Sequence, residues 1–332
     1  VYKRQRNIWI GLALVVAAYF AYSTFQPSQP TGGERVAHLR TTNGSGTRVT
    51  KITQGECEAT AQRVWAVSDD EVACLAYVSS GDAVAGSGRM AIVYFHGDFP
   101  SDRQTAAKMA QSRRGYETRV ASLAKRLQVP VFVIARPGVM GSTGFHVIGG
   151  VRKEHQLVAS ALETLKRRHG INRMVLGGQS GGARVAAQLL VSGRTDIACG
   201  VMASGAYGIP GRRGGGRMST NIWGEPSKSY LIPLRSIEGV LADGKRRLFV
   251  VGDPRDKRAE FAEQRKWADA LRRAGHHAVL LEAPGGGKEF HYLGRVAMEV
   301  AGMCASGKSD REIASYVGKL KPQVERKLPV VK

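Results

Sequence analysis

Acidic residues are scarce in this 332-residue chain: 27 Asp and Glu stand against 49 Lys and Arg, a formal charge of +22. Such an excess suits a polyanionic partner. The basic residues are scattered over helix faces, however, as in Lys166-Arg167-Arg168 and Lys125-Arg126. Aromatic residues make up only 7% of the chain. No aromatic-rich RNA motif, zinc pattern or recognition helix gathers the charge, which argues against nucleic-acid binding. A solvated basic surface is the expectation, one suited to an anionic membrane. Cysteine is scarce too, with four residues and no C-x-x-C pair. Zinc and iron–sulfur ligand patterns are thereby excluded, and neither metal nor cofactor is expected. No internal repeat is visible.

Long uncharged runs are confined to the N-terminus. Lys3, Arg4 and Arg6 precede an uncharged segment, residues 8–22, that continues to about residue 25. It is short for a membrane span and long enough for a signal-peptide core. Positive charge ahead of it directs the downstream chain out of the cytoplasm. Ala21-Tyr22-Ser23 offers a small-x-small cleavage site. Residues 1–25 are therefore read as a signal peptide or a retained inner-membrane anchor, and 26–46 as a tether without periodicity. The protein is expected to be exported, periplasmic or otherwise extracytoplasmic. Cys57 and Cys74 flank a predicted strand pair and are expected to bridge in that compartment. Cys199 and Cys304 are read as a second bridge or as two small buried residues.

What is present in quantity is ordinary for a folded enzyme-sized domain: 43% hydrophobic residues, 23% charged, and 41 glycines for turns. Residues 48–53, 63–67 and 71–78 read as short strands making an antiparallel edge, within residues 47–80. From residue 90 the rhythm becomes strand–helix–strand. Strands are predicted at 90–95, 129–135, near 174, at 197–203, 247–251 and 278–282. Helices are predicted around 104–110, 116–127, 153–169, 261–274 and 293–304, with 232–241 another helical stretch. The irregular segment 208–239 is a candidate pocket rim. Continuous apolar strands alternating with amphipathic helices call for a mostly parallel sheet covered on both faces. The catalytic domain is placed at 47–305, and residues 306–332 are read as a basic tail containing a short peripheral helix.

The chain is organised around residues 174–191. An apolar strand runs into Gly178-Gln179-Ser180-Gly181-Gly182 and then into a helical pattern with Val185, Leu189 and Leu190. This matches G-x-S-x-G, a strand–turn–helix elbow that exposes a nucleophilic hydroxyl. Side chains at Gly178 or Gly182 would crowd the sharp turn. A serine needs a base, and His291 lies between the last strand and a helix. The base needs a carboxylate. Val251-Gly252-Asp253-Pro254-Arg255-Asp256 supplies two at another strand end: Asp256 reaches farther across, and Asp253 is the alternative acid or a cap of the Asp-Pro turn. Backbone N–H groups of Gly181 and Asp98 are the expected oxyanion donors. Gly97 allows close approach, and His96 supports that loop. His146 and His155 flank a glycine-rich loop, with surface or structural positions expected.

With these residues in place the chain resembles the α/β-hydrolase superfamily. It looks most like single-domain serine esterases and the catalytic domains of prolyl-oligopeptidase-like peptidases. The resemblance rests on His96-Gly97, the Ser180 elbow, residues 252–256 and His291, and covers roughly residues 85–305. It implies an eight-stranded, mainly parallel sheet with helices on both faces, and cofactor-free acyl transfer with Ser180, Asp256 and His291 as nucleophile, acid and base. The distal aspartate stands one residue later than the common pattern, which leaves Asp253 open. Residues 136–144 resemble a substrate-side loop of some bacterial relatives. The expected substrate is a small ester; a short peptide or aminoacyl amide, and a non-catalytic envelope binding protein on this scaffold, stand as alternatives. Oligomeric state is not legible.

Overall fold

Apolar runs without polar interruption can be buried on both faces of a sheet, and this chain uses them at its centre. In a computed structural model, which describes residues 35–321 apart from 44–45, 70, 81–89, 101–104, 147–152 and 209–230, an eight-stranded sheet forms the core. Its strands are β3 (Arg63–Val67), β4 (Val72–Ser79), β5 (Met90–Phe95), β6 (Val131–Ile134), β7 (Arg173–Gln179), β8 (Ile197–Ala203), β9 (Arg247–Gly252) and β10 (Ala278–Glu282). Across the sheet they run β3-β4-β6-β5-β7-β8-β9-β10. All pairings from β6 to β10 are parallel. β4 joins β6 antiparallel and β3 joins β4 antiparallel, the expected edge.

Side chains alternate between two apolar layers, as the two-residue period of a strand requires. Val93, Phe95, Leu176, Met202 and Val250 enter one layer with α3 (Glu154–His169), α4 (Gly181–Val191) and α5 (Phe261–Arg273). Ile92, Tyr94, Val175, Val201 and Phe249 enter the other with α2 (Ala106–Leu127), α6 (Gly294–Ala305) and α7 (Asp310–Gly318). Every residue of α4 is buried. A helix apolar on most of its circumference has to lie inside the protein, and that position sets the depth of the elbow.

Four sequence expectations need correction. The two helical stretches at 104–110 and 116–127 are one helix, α2, although Gly115 lies within it. An interior glycine costs about 1 kcal/mol; the Thr105 cap and buried Val120, Leu123 and Ala124 outweigh that. Strand β2 (Gly46–Ile52) leaves the main edge and pairs with β1 (Ala37–Asn43) in a separate two-stranded sheet, so a strand lies inside the stretch read as a tether. Its polar sequence hid it. It is held by buried Ala37, packed with Cys57, Trp65 and Cys74, and by Gly144 N–H donating to His38 O at 2.9 Å. The helix expected at 232–241 is two short 3-10 turns, Pro233–Arg235 and Ile237–Gly239. Finally, the short helix expected in the tail is present as α7, but its Ile313 and Val317 are buried in the second layer, so the packed domain runs past residue 305.

The segment read as signal or anchor, most of the expected pocket rim, and residues 322–332 lie outside the described residues. Among the described residues no helix is long and apolar enough to cross a membrane. Both expected cysteine pairs are bridged. Cys57–Cys74 ties α1 (Gln54–Ala59) to β4 with Cα atoms 5.7 Å apart, and Cys199–Cys304 ties β8 to α6 at 6.6 Å.

A disulfide removes conformations from the unfolded chain, more so for longer closed loops. The sequence separations are 17 and 105 residues. Replacing either pair by alanine is expected to cost about 2–4 kcal/mol, with the Cys199/Cys304 variant losing more. Urea titrations of both double variants under non-reducing conditions check the order; an equal or reversed order would rule out loop length as the governing factor.

Candidate active site

Ser180 sits between β7 and α4 with φ 55° and ψ −122°. A non-glycine residue there carries strain on the order of 1–3 kcal/mol and has to be held by its surroundings. The flanking glycines show how. A Cβ on Gly178 would overlap the carbonyl of Gly182, and one on Gly182 would overlap the carbonyls of Phe95 and His96. The start of α4 is thus pressed against both β7 and the end of β5. On Gly97 a Cβ would stand 2.6 Å from Gln179 Oε1 and 3.3 Å from Ser180 Cβ. The His96–Phe99 loop therefore lies directly on the elbow.

Three strand ends deliver three polar side chains to one line. His291, after β10, places Nε2 2.9 Å from Ser180 Oγ. Its Nδ1 lies 2.9 Å and 3.0 Å from Asp256 Oδ2 and Oδ1, after β9. Asp256 Oδ1 also accepts the backbone N–H groups of Arg258 and Ala259, at 2.8 and 3.0 Å. A carboxylate so held fixes the ring with Nδ1 as donor, leaving the Nε2 lone pair towards the serine hydroxyl. His291 and Asp256 are both buried.

Asp253 is engaged elsewhere. It accepts Arg255 N–H at 2.8 Å, the Arg255 guanidinium at 2.8 and 2.9 Å, and Gly285 N–H at 2.7 Å. Burial would raise its pKa, but the Arg255 hydrogen bonds outweigh this and hold it below the ordinary value. Through Gly285 it ties the loop carrying Asp256 to the loop carrying His291. Lys257 N–H donates to Glu289 O at 3.0 Å, and Arg255 covers the Phe290 ring at 4.2 Å, closing the same seam. Gln179 Nε2 adds a bond to His291 O at 3.1 Å.

Behind the His96–Phe99 loop lies a buried ionic group. Arg136 has no exposed side-chain surface and meets Asp98 at 2.6 Å and Glu154 through two bonds, 2.5 and 2.9 Å. Its backbone N–H donates to His96 Nε2 at 3.0 Å, while His96 Nδ1 donates to Gly97 O at 2.7 Å. Both His96 nitrogens are thus used and the ring is neutral. Burial first, then the Arg136 charge, push its pKa down to about 3. His146 accepts Phe99 N–H at 3.1 Å. It too is held at about 3, by burial and then Arg136.

No protein-family profile matches the sequence, and no curated protein does. Solved structures do match. Prolyl oligopeptidase B from Galerina marginata superposes with TM-score 0.50 at 13% identity, over 81% of this chain and 40% of that one. The chain has the α/β-hydrolase fold. The Pyrococcus furiosus esterase Pf2001 gives TM-score 0.49 at 17% identity, over 77% and 94% of the two chains. Est1E from Butyrivibrio proteoclasticus gives 0.47 at 9% identity, over 74% and 97%. At such identities the likeness is one of fold.

On this α/β-hydrolase sheet, Ser180, His291 and Asp256 come together, Gly97, Gly178, Gly181 and Gly182 line the elbow, and Asp253 stands to one side of the line. Arg136 is buried, where the sequence pointed to a substrate-side loop, and His146 takes the structural of its two expected positions. Arg136, Glu154 and Gln179 escaped the sequence reading. Arg136 and Asp98 follow neighbouring parallel strands, β6 and β5, and that placement was the available signal.

The two histidines set an acid limit. Their ordinary pKa of 6.5 applies to the unfolded chain, while the folded values are about 3. Below pH 6.5 the unfolded state binds more protons, so this part of the stability is complete above pH 6.5 and lost as pH falls towards 3. The slope is about 1.4 kcal/mol per pH unit for each histidine. Urea unfolding at pH 7, 6 and 5 should show this decline, and His146→Gln should flatten it. An unchanged slope in that variant would remove His146 from the account.

Proposed function

We propose that the chain is an exported serine hydrolase that cleaves carboxylic esters through an acyl-enzyme on Ser180. The observation that supports this most is the unbroken line Ser180 Oγ–His291 Nε2–His291 Nδ1–Asp256, at 2.9 and 2.9 Å. In the proposed cycle Ser180 Oγ attacks the ester carbonyl carbon as its proton passes to His291 Nε2. Asp256 orients the ring and stabilises the imidazolium. Backbone N–H groups of Gly181 and Asp98 hold the oxyanion, with the positive end of α4 behind Gly181. The tetrahedral species collapses, and His291 returns its proton to the departing alcohol. A water deprotonated by His291 then attacks the acyl-enzyme, releasing the acid and restoring Ser180.

A carboxylate next to the developing oxyanion would oppose this chemistry. The Asp98 side chain lies against the Gly181 Cα, and its pairing with Arg136 offsets that charge. An ester is preferred to a peptide for a related reason. Asp98, Glu154, Asp253 and Asp256 are each engaged by Arg136, Arg255 or His291, so none of these four is left to hold a peptide's amino terminus. The peptidase reading draws support from the fold shared with prolyl oligopeptidase B. Hydrolysis of aminoacyl amides at rates above those of matched esters would favour it.

Ser180→Ala is expected to abolish labelling by a fluorophosphonate and to lower ester turnover by several orders of magnitude. His291→Ala should be as severe, because the three groups act as a unit. Asp256→Asn should lose on the order of 10⁴ in kcat through the wrong imidazole tautomer. Asp253→Asn should lose far less while still folded by circular dichroism. If Asp253→Asn is the more damaged of the two, the acid has been misassigned. If Ser180→Ala turns over every parent substrate, the serine-hydrolase reading fails; a parent that turns over none of the esters or amides would instead favour the binding role.

Export is supported by the two disulfides, which persist in oxidising compartments. In intact cells expressing the complete gene, protease added after permeabilising only the outer envelope should reach the domain. Protection until the inner membrane is broken would contradict export.

A further inference from the structure

One guanidinium near the elbow has no counter-ion among the described residues. Arg184 lies on α4, four residues after Ser180, and its backbone N–H donates to Ser180 O at 3.2 Å. Its side chain is buried, 5% exposed, and Nη2 has no hydrogen-bond partner. Among the described residues no carboxylate forms an ion pair with it. Burying a cation without a partner is costly, and folded proteins as a rule pair such groups. Arg136, as deeply buried, has two carboxylates. An unpaired cation kept at this position points to a partner that arrives from outside.

Its direction is set by helix geometry. Side chains on a helix lean towards its N-terminus and cover the preceding turn. For Arg184 that is the turn carrying Ser180 and Gly181. Ser180, Arg184 and Gln188 share one face of α4, at four-residue spacing. Gln188 donates to Leu231 O at 2.8 Å, so this face looks towards the segment leading into the 3-10 turns and not into the sheet. His146, on the loop after β6, senses the Arg184 charge after the larger effects of burial, Arg136 and Asp98. Arg184 therefore stands near both the elbow and the loop after β6. The positive end of α4, an 11-residue helix, adds to the field there.

Building on the serine-hydrolase reading, we infer that Arg184 is a specificity-determining residue that binds a free carboxylate of the substrate. The preferred substrate is then an ester, or amide, carrying an acid group a few bonds from the scissile carbonyl. One turn of helix, about 5.4 Å, separates the attachment points of Ser180 and Arg184. That spacing suits a half-ester of a short dicarboxylic acid, or an ester whose alcohol bears the acid. The carboxylate would meet a planar fork of donors, and its neighbouring Asp and Glu residues are already paired, so repulsion is limited.

The test compares matched substrates that differ only in charge. Nitrophenyl monoesters of succinate and glutarate are set against their methyl-capped neutral counterparts, and 4-acetoxybenzoate against its methyl ester. The first pairs place the acid on the acyl side and the last on the leaving side. In at least one pair the parent should favour the acid by about 10- to 100-fold in kcat/KM, the range expected for charge-assisted hydrogen bonds. Arg184→Met should bring that ratio close to one, and Arg184→Lys should restore part of it, since the charge returns without the fork. Arg184→Met should also melt no lower than the parent, because it removes a buried unpaired charge; a residue kept for folding would lower the melting temperature.

Binding is measured separately from turnover. Glutarate should raise the melting temperature of Ser180→Ala protein and fail to do so for Ser180→Ala/Arg184→Met. If fluorophosphonate labels Ser180 in the parent but no pair shows an Arg184-dependent preference, the carboxylate subsite is overturned and the hydrolase reading stands. If Ser180 is inert to the label while glutarate stabilises only proteins containing Arg184, the subsite stands and the hydrolase reading falls. Absence of any Arg184-dependent glutarate effect counts against the subsite.

Discussion

Arg136 holds the site together. Its guanidinium, fully out of solvent, joins Asp98 on the loop after β5 to Glu154 at the start of α3. Its own backbone fixes His96. Neither carboxylate could be buried so near the elbow without it, and a cation in that place would be as costly without them. The group therefore sets where the β5 loop lies, and the β5 loop lies against Gly181. Removing the cation would leave two buried carboxylates next to the position proposed for the oxyanion. Geometry and electrostatics at the elbow depend on the same three side chains.

The remaining framework is built by close backbone approach. Glycines at 97, 178, 181 and 182 allow a strand end, a loop and a helix start to meet in one small volume, and Ser180 is left in its unusual conformation by that crowding. Asp253, Gln179 and Lys257 then stitch the loops bearing Asp256 and His291 to each other and to the elbow. The three groups proposed to react follow three parallel strands of one sheet, β7, β9 and β10. Their separation along the chain is large, and their separation in space is a hydrogen bond.

Much of this was legible beforehand, for physical reasons that differ by residue. The central strands announce themselves because burial on both faces demands unbroken apolar runs; 90–95 and 197–203 were placed to the residue, as was the edge strand 278–282. Ser180 was visible because its turn admits little but glycine around it. The β1–β2 hairpin was not visible, since its polar, half-solvated strands carry no such run. The single helix α2 was missed because Gly115 locally suggests a break that tertiary packing overrides. Arg136 with Glu154, and the unpaired Arg184, were hidden more deeply. A charged residue reads as surface in one dimension, and only the packed structure shows which charges have been taken out of water and with whom.

The longer disulfide changes what a cut in the backbone means. Cys199 and Cys304 close a covalent ring that contains both Asp256 and His291, while Ser180 lies outside it. A single cleavage anywhere between those cysteines opens the ring without freeing a fragment. The piece carrying Ser180 and the piece carrying His291 stay one molecule, at the high effective concentration of a tether. The fold can thus be cut between Cys199 and Cys304 and still hold the pieces carrying Ser180 and His291 together, so long as its surroundings remain oxidising.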